Sequence, residues 1–326
     1  MSLAQRSTSS SGIDESLNRL ARGATALENL SVRQRIGLLE RCIEGVGSVA
    51  RDWVEAACEA KRIPKDSSAR TEEVTAGPLA TIRFMQLVAK TFKDIDECGS
   101  PRLPGSVSRV AGQCRVPVFP TQLLYDSLLF RPMTAETWLH PDVQAEAVSA
   151  VSTARLVGAE RNSQIVAVLG AGNVSSIPAT DALTKIFLED DVVALKMNPV
   201  NEYLGPILEE GLAPLIESGL MQLAYGGVES GKCLIESERT GSVHITGSID
   251  SHDTIVWGSS DDREQRRAEN RPILAKTITS ELGNVSPWAV TPGQYTDREL
   301  RAQAETIAAS IVNNVSFNCI ATKVIL

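Results

Sequence analysis

The chain has 326 residues, 43% of them apolar and 22% charged, with a formal net charge of −8. That composition is globular and long enough for about two domains. No basic stripe suits nucleic acid, and no apolar run nears the roughly 20 residues that span a bilayer, so neither nucleic acid nor a membrane is an expected partner. The six cysteines are scattered without a CxxC pair and the three histidines are dispersed, which argues against a disulfide framework or a metal site and for a reducing, cytoplasmic compartment.

Residues 1–13 are Ser-rich and polar, with no apolar core for a signal peptide, and read as a disordered tail. Apolar residues then recur at helical spacing, beginning with Leu17, Leu20 and Ala21. A longer helix follows from Ser31, whose hydroxyl suits an N-cap, through Ile36, Leu39, Cys42, Ile43, Val46, Val49 and Val54. Another runs through Leu79, Ile82, Met85, Leu87 and Phe92, with Gly77-Pro78 as an interruption. Gly99 to Gly105 reads as a loop. The prolines of Arg115-Val116-Pro117-Val118-Phe119-Pro120 argue for an edge or connecting strand.

From Gln164 strands alternate with helices. Strands are expected at 165–169, 192–195, 221–224, 242–245 and 273–278, and helices at 178–188, 204–216 and 228–236. A charged segment, Ser259 to Arg271, reads as a loop. This alternation means βαβ units and a parallel sheet, hence an α/β fold.

Four stretches carry chemistry. Gly170-Ala171-Gly172-Asn173-Val174-Ser175 lies between a strand and a helix. One reading is a dinucleotide fingerprint, with Ser175 at the third glycine and Asp191 as its acidic residue. A second makes it a turn presenting Asn173, whose amide would donate to a developing oxyanion. The plainer reading is a tight turn. Thr246-Gly247-Ser248 opens a helix at Ile249, which suits a pyrophosphate or is an ordinary Ser cap. Glu281, in Ser280-Glu281-Leu282-Gly283-Asn284, has apolar neighbours that would make it a partly buried carboxylate and a usable base. Cys319 follows an amphipathic pattern, Leu300 to Ile311, in a short polar loop. It is either a nucleophile stabilised by backbone N–H groups or an inert thiol.

These pieces in this order resemble the aldehyde dehydrogenase superfamily: Asn173 after a strand, Leu195-Lys196-Met197-Asn198-Pro199, Ile245-Thr246-Gly247-Ser248, Glu281-Leu282-Gly283-Asn284, and Asn314-x-Ser316-Phe317-x-Cys319. The resemblance covers most of the chain from about residue 30. It implies N-terminal helices plus a Rossmann-like parallel sheet over 14–280 and the start of a second α/β catalytic domain over 281–326. It implies NAD or NADP as cofactor and an aldehyde, or in the related acyl-CoA reductases an acyl thioester, as substrate. Cys319 would be the nucleophile, Asn173 the oxyanion donor and Glu281 the base that activates water. Lys196 would bind the adenosine ribose, Gly227 and Gly231 the adenine side, Gly247 and Ser248 the pyrophosphate, with Leu282 also in the coenzyme set. The Gly170 turn would then line the catalytic site.

The sequence departs from the pattern in places. Pro199 stands where the family has a ribose-binding glutamate, which leaves NAD against NADP open. Gly247-Ser248-Ile249-Asp250-Ser251-His252 replaces the family's Gly-Ser-Thr-x-x-Gly. Ser316 and Phe317 replace Gly-Gln, and Asn284 replaces a glycine. The Leu-Gly-Ala-Gly-Asn and Lys-Met-Asn-Pro wording is similar to the fatty acyl-CoA reductases of luminous bacteria. The family's chains continue well past the cysteine with a second glutamate and an oligomerisation hairpin. The chain is therefore expected to be a fragment or a truncated product, inactive alone and a homo-oligomer when full length. Three activities follow: an aldehyde dehydrogenase, an acyl-CoA reductase, or a non-catalytic nucleotide-binding chain.

Overall fold

The computed structural model describes residues 7–121, 124–144, 147–148, 153, 157 and 162–326. Helix α1 spans Ser10–Glu28, and Ser9 caps it by accepting the Gly12 N–H at 3.2 Å. The helix thus begins inside the stretch expected to be a disordered tail. The Ser-rich run supplies its cap, and the Thr8 hydroxyl accepts the Tyr225 N–H at 2.9 Å. Residues 1–6 of that expected tail lie outside the described residues.

Helix α2, Val32–Ala60, starts at a capping box formed by Ser31 and Gln34, as the Ser31 cap predicts. Its buried stripe includes Leu38, Leu39, Cys42, Val46, Val49, Trp53 and Ala57. Short α3, Arg70–Thr75, leads to α4, Pro78–Cys98. Pro78 sits in the first turn of α4, where its missing N–H costs nothing. Helices α1, α2 and α4 share one apolar core with the parallel sheet.

Strands β1 (Ser108–Val110), β2 (Gln113–Phe119) and β3 (Ala135–Trp138) form an antiparallel sheet with β2 in the middle. The expected edge strand is therefore central. The proline argument holds locally, because β1 reaches only as far as Arg115 and leaves Pro117 without a β1 partner. Pairing with β3 shifts register between Pro117 and Phe119. Helix α5, Leu124–Leu129, connects this sheet's second and third strands.

Strands β4 (Ile165–Leu169), β5 (Val192–Lys196), β6 (Met221–Ala224), β7 (Thr240–Gly247) and β8 (Thr277–Leu282) form a parallel sheet in the order β6-β5-β4-β7-β8. The chain winds outward from β4 in one direction and then in the other. That is the doubly wound arrangement, with a crevice at the carboxyl ends of β4 and β7.

Three sequence expectations need correction here. The helix expected over 204–216 is a 3₁₀ turn, Pro199–Leu204, followed by Gly205–Gly211 and Ala213–Glu217. The α-helices part at Leu212, just before Ala213-Pro214, because a proline cannot supply the N–H that would continue a helix. The charged segment read as a loop holds a helix, Ser260–Ala268. It buries no apolar stripe, so periodicity cannot reveal it. Acidic Asp261 and Asp262 at its start and basic Arg266 and Arg267 at its end complement the helix dipole. The strand expected at 273–278 runs instead over Thr277–Leu282, where it registers on Ser242–Gly247.

Helix Asp297–Val312 has its own capping box, Thr296 with Glu299. Beyond it β10, Val324–Ile325, pairs in parallel with β9, Pro287–Trp288. Among the described residues no helix is long and apolar enough to cross a membrane.

Candidate active site

The turn after β4 is built by close approach. The Gly170 N–H donates to the Lys196 carbonyl at 3.0 Å, closing the end of β4 on β5. A Cβ on Gly172 would meet the Asn198 carboxamide at 2.9 Å. Both glycines are thus used by packing against the end of β5. Ser175 is buried, and its hydroxyl accepts the Trp53 indole N–H at 2.9 Å. The Ser176 N–H donates to the Ala76 carbonyl at 3.2 Å. The turn is fastened to the helical layer and does not form an open phosphate cradle.

Asp191 bears on the same question. Its carboxylate accepts the Gln164 N–H at 3.0 Å, and burial raises its pKa above the ordinary aspartate value. Gln164 and Asp191 precede β4 and β5, so this pair lies at the amino edge of the sheet. Gly170 and Asn173 lie at the carboxyl edge. Asp191 therefore cannot be the acidic residue of a fingerprint on Gly170.

Asn173 meets the Cys319 segment directly. Its Nδ2 donates to the Phe317 carbonyl at 2.9 Å, and Asn314 Nδ2 donates to the Asn173 carbonyl at 3.0 Å. Asn314, Val315 and Ser316 have φ of 52°, 55° and 61°. Such a left-handed run costs about 1–2 kcal/mol per residue in L-amino acids, so it needs anchors. The Asn314 N–H donates to Glu72 Oε1 at 2.6 Å, and the Asn313 amide reaches the same oxygen. Lys61 Nζ donates both to Glu73 Oε1 and to Asn314 Oδ1, each at 2.6 Å. Lys61 and the Glu72-Glu73 pair are invisible in the sequence as site residues, because charges at the end of a helix or in a short one read as a solvated face. Asn314 was visible only as a letter in a motif.

Cys319 itself is half-buried in this loop, with Sγ 3.4 Å from Asn318 Oδ1. The Ser286 hydroxyl donates to the Cys319 carbonyl at 3.3 Å, and the Lys323 N–H donates to the Val285 carbonyl at 3.1 Å. The Asn284–Ser286 stretch is thereby drawn to the cysteine loop. Glu281 lies three residues before it, opposite Thr246 in the β7–β8 ladder. The expectation of a partly buried carboxylate is corrected: Glu281 is exposed, as are Val285 and Val290, so the apolar neighbours do not cover it. Among the described residues no hydrogen bond or ion pair joins Glu281 to Cys319. Leu282 is half-buried and pairs with Gly247.

The remaining sequence candidates line the same carboxyl edge. Lys196 ends β5 and is 8% exposed. Burial holds its ammonium below the usual lysine range, with the Glu202 carboxylate opposing. That ammonium makes no hydrogen bond or ion pair within the described residues. Gly227 precedes the Val228–Glu236 helix, and a Cβ there would meet no atom within 4 Å. At Gly231 the nearest atom, on Leu169, would be 3.8 Å away. Gly227 is exposed and leaves its backbone open to approach, whereas Gly231 is buried within the helix. Gly247 ends β7 and Ser248 caps the Ile249–Trp257 helix by accepting the Ser251 N–H at 3.1 Å. Asp250, in the first turn, would oppose an anion, but Arg263 Nη1 pairs with it at 2.6 Å. A lysine at the end of β5, an open glycine at 227 and a helix start along one edge fit a dinucleotide.

No protein-family model matches the chain, and no curated protein matches it. Solved structures do. Aldehyde dehydrogenase C of Pseudomonas syringae, solved with NAD+ and octanal, superposes with a TM-score of 0.60 at 12% identity over 98% of this chain and 51% of that one. An aldehyde dehydrogenase of Brucella melitensis biovar abortus gives 0.58 at 13% identity, over 98% of this chain and 52% of that one. Aldehyde dehydrogenase 21 of Physcomitrella patens, solved with succinate, gives 0.57 at 16% identity, over 98% and 52%. The chain thus has the aldehyde dehydrogenase fold and spans about half the length of the structures it matches.

Proposed function

We propose that the chain is the coenzyme-binding and nucleophile-bearing part of an NAD(P)-dependent aldehyde dehydrogenase. The observation that carries this reading is the mutual hydrogen bonding of Asn173 and the Asn314–Phe317 turn, which sets an amide donor beside the Cys319 loop. The Cys319 thiolate adds to the aldehyde carbonyl, giving a thiohemiacetal oxyanion. One Asn173 N–H is taken by Phe317, which orients the amide and leaves the second for that oxyanion. Bound NAD or NADP would supply the hydride acceptor that turns the thiohemiacetal into a thioester. Glu281 then activates water to release the carboxylic acid. Lys196, Gly227, Gly231, Gly247, Ser248 and Leu282 bind the coenzyme. A second reading, an acyl-CoA reductase on the same residues, is favoured by the exposure of Glu281, since thiol exchange needs no buried base.

Two variants test the assignment of the edge. Ser248→Asp keeps an acceptor for the Ser251 N–H, so the helix cap survives, but it sets a charge against the pyrophosphate. One charge at about 4 Å is worth roughly 1–4 kcal/mol between bulk water and an effective dielectric of 20, so coenzyme affinity should fall about fivefold or more. Asn173→Ala should leave affinity near wild type and lower turnover by roughly 10²–10³. Loss of coenzyme binding in Asn173→Ala but not in Ser248→Asp, read by NAD(P)H fluorescence titration, would return the pyrophosphate to the Gly170 turn.

A further inference from the structure

Asn314 is 4% exposed and is held through both ends of its amide and through its backbone N–H. Its Oδ1 accepts from Lys61, its Nδ2 donates to the Asn173 carbonyl, and its N–H donates to Glu72. Asn173 in turn donates to Phe317, three residues beyond Asn314. The bonds close a ring: Asn314 holds the Asn173 backbone, and the Asn173 side chain holds the far end of the turn that Asn314 begins. Lys61 and Glu72 seat this ring on the helical layer, and Lys61 is itself paired with buried Glu73. The turn inside the ring is the left-handed run at 314–316, a conformation that L-residues leave when released.

We infer that Asn314, anchored by Lys61 and Glu72, is a positioning residue that sets the Asn173 amide against the Cys319 loop. It touches no reacting atom in this scheme. It acts through Asn173, so the inference rests on the function proposed above. Loss of the Nδ2 donor frees the Asn173 backbone, and the left-handed turn relaxes and carries the Phe317 carbonyl with it. The Asn173 amide then loses the partner that orients it, and its second N–H no longer points where charge develops.

Two reactions of the same thiol separate positioning from mere loosening. Acylation by p-nitrophenyl acetate forms the sulfur–acetyl bond through a tetrahedral oxyanion and expels p-nitrophenolate. Alkylation by iodoacetamide is a direct displacement of iodide with no oxyanion. Neither needs coenzyme. Asn314→Asp keeps an oxygen for Lys61 but replaces the donor to the Asn173 carbonyl. It should slow Cys319 acylation by roughly 10–100-fold, within the loss of one oxyanion donor, while Cys319 alkylation stays within about twofold of wild type. Glu72→Ala should behave likewise, and Glu72→Gln, which still offers an oxygen to both N–H groups, should restore the wild-type ratio. The Glu72 pair decides the matter if Asn314→Asp does not fold.

The inference is overturned if acylation and alkylation slow together, or if neither changes in Asn314→Asp and Glu72→Ala while Asn173→Ala slows acylation. If Asn173→Ala leaves acylation at the wild-type rate, the oxyanion role of Asn173 fails, and the role of Asn314 falls with it.

Discussion

Two glycines on α2, two residues apart, should respond to alanine with opposite signs. A Cβ on half-buried Gly45 would lie 2.4 Å from the Gly211 carbonyl oxygen and 3.2 Å from its carbon. On exposed Gly47 it would meet nothing within 4 Å. Inside a helix alanine is worth roughly 0.5–1 kcal/mol over glycine. Gly47→Ala should keep that gain whole. Gly45→Ala sets the same gain against overpacking, which costs about 1–3 kcal/mol. The upper end applies, because the obstruction is backbone and cannot swing aside, so the net loss is roughly 2 kcal/mol. For a chain of this size 1 kcal/mol moves the melting temperature by about 2 °C. Calorimetry at one scan rate should place Gly45→Ala about 4 °C below wild type and Gly47→Ala about 1–2 °C above it. A Gly45→Ala protein melting at or above wild type would mean that α2 and the Gly205–Gly211 helix do not touch as described.

The thiols and the base give further expectations. Burial pushes Cys42 up to about 12 and raises Cys58 as well, so both should resist iodoacetamide while the protein is folded. Limiting reagent and peptide mapping should find Cys319 labelled first, and prior labelling of exposed Cys98 or half-buried Cys233 would count strongly against it as nucleophile. In the full-length protein, Glu281→Gln should keep a pre-steady-state burst of NAD(P)H and then deacylate slowly. Product analysis with and without CoA checks the reaction type: acyl-CoA as the main product, with little acid when CoA is absent, would establish the acyl-CoA reductase reading instead.

The alternation of strands and helices was legible because each strand is a short apolar run between turn residues. The strands from Ile165 to Gly247 sit close to where their apolar letters fall. β8 slipped because Ile273 and Leu274 look like strand but precede it, with the Ile273 N–H donating to the Val256 carbonyl. The Ser260–Ala268 helix escaped because charge pairing shapes it, with no apolar stripe. At the site, the letters Asn173 and Cys319 could be picked out, and the structure joins their segments. The exposure of Glu281 could not be read, since apolar neighbours along the chain are not neighbours in space. Lys61, Glu72 and Glu73 could not be read either, since their partners lie in a loop far along the chain.

The seat of the cysteine loop also bears on the order in which the protein is made. The Lys61–Asn314 bond spans 253 positions and the Glu72–Asn314 bond 242. A ribosome releases α2, α3 and the whole doubly wound sheet before Asn314 emerges, and domains fold as they appear. The nascent chain therefore carries a finished receptor that waits for its latch, and Cys319 arrives after the latch. On the function proposed above, the Cys319 loop is positioned only once the Asn314 segment has docked onto α2 and α3.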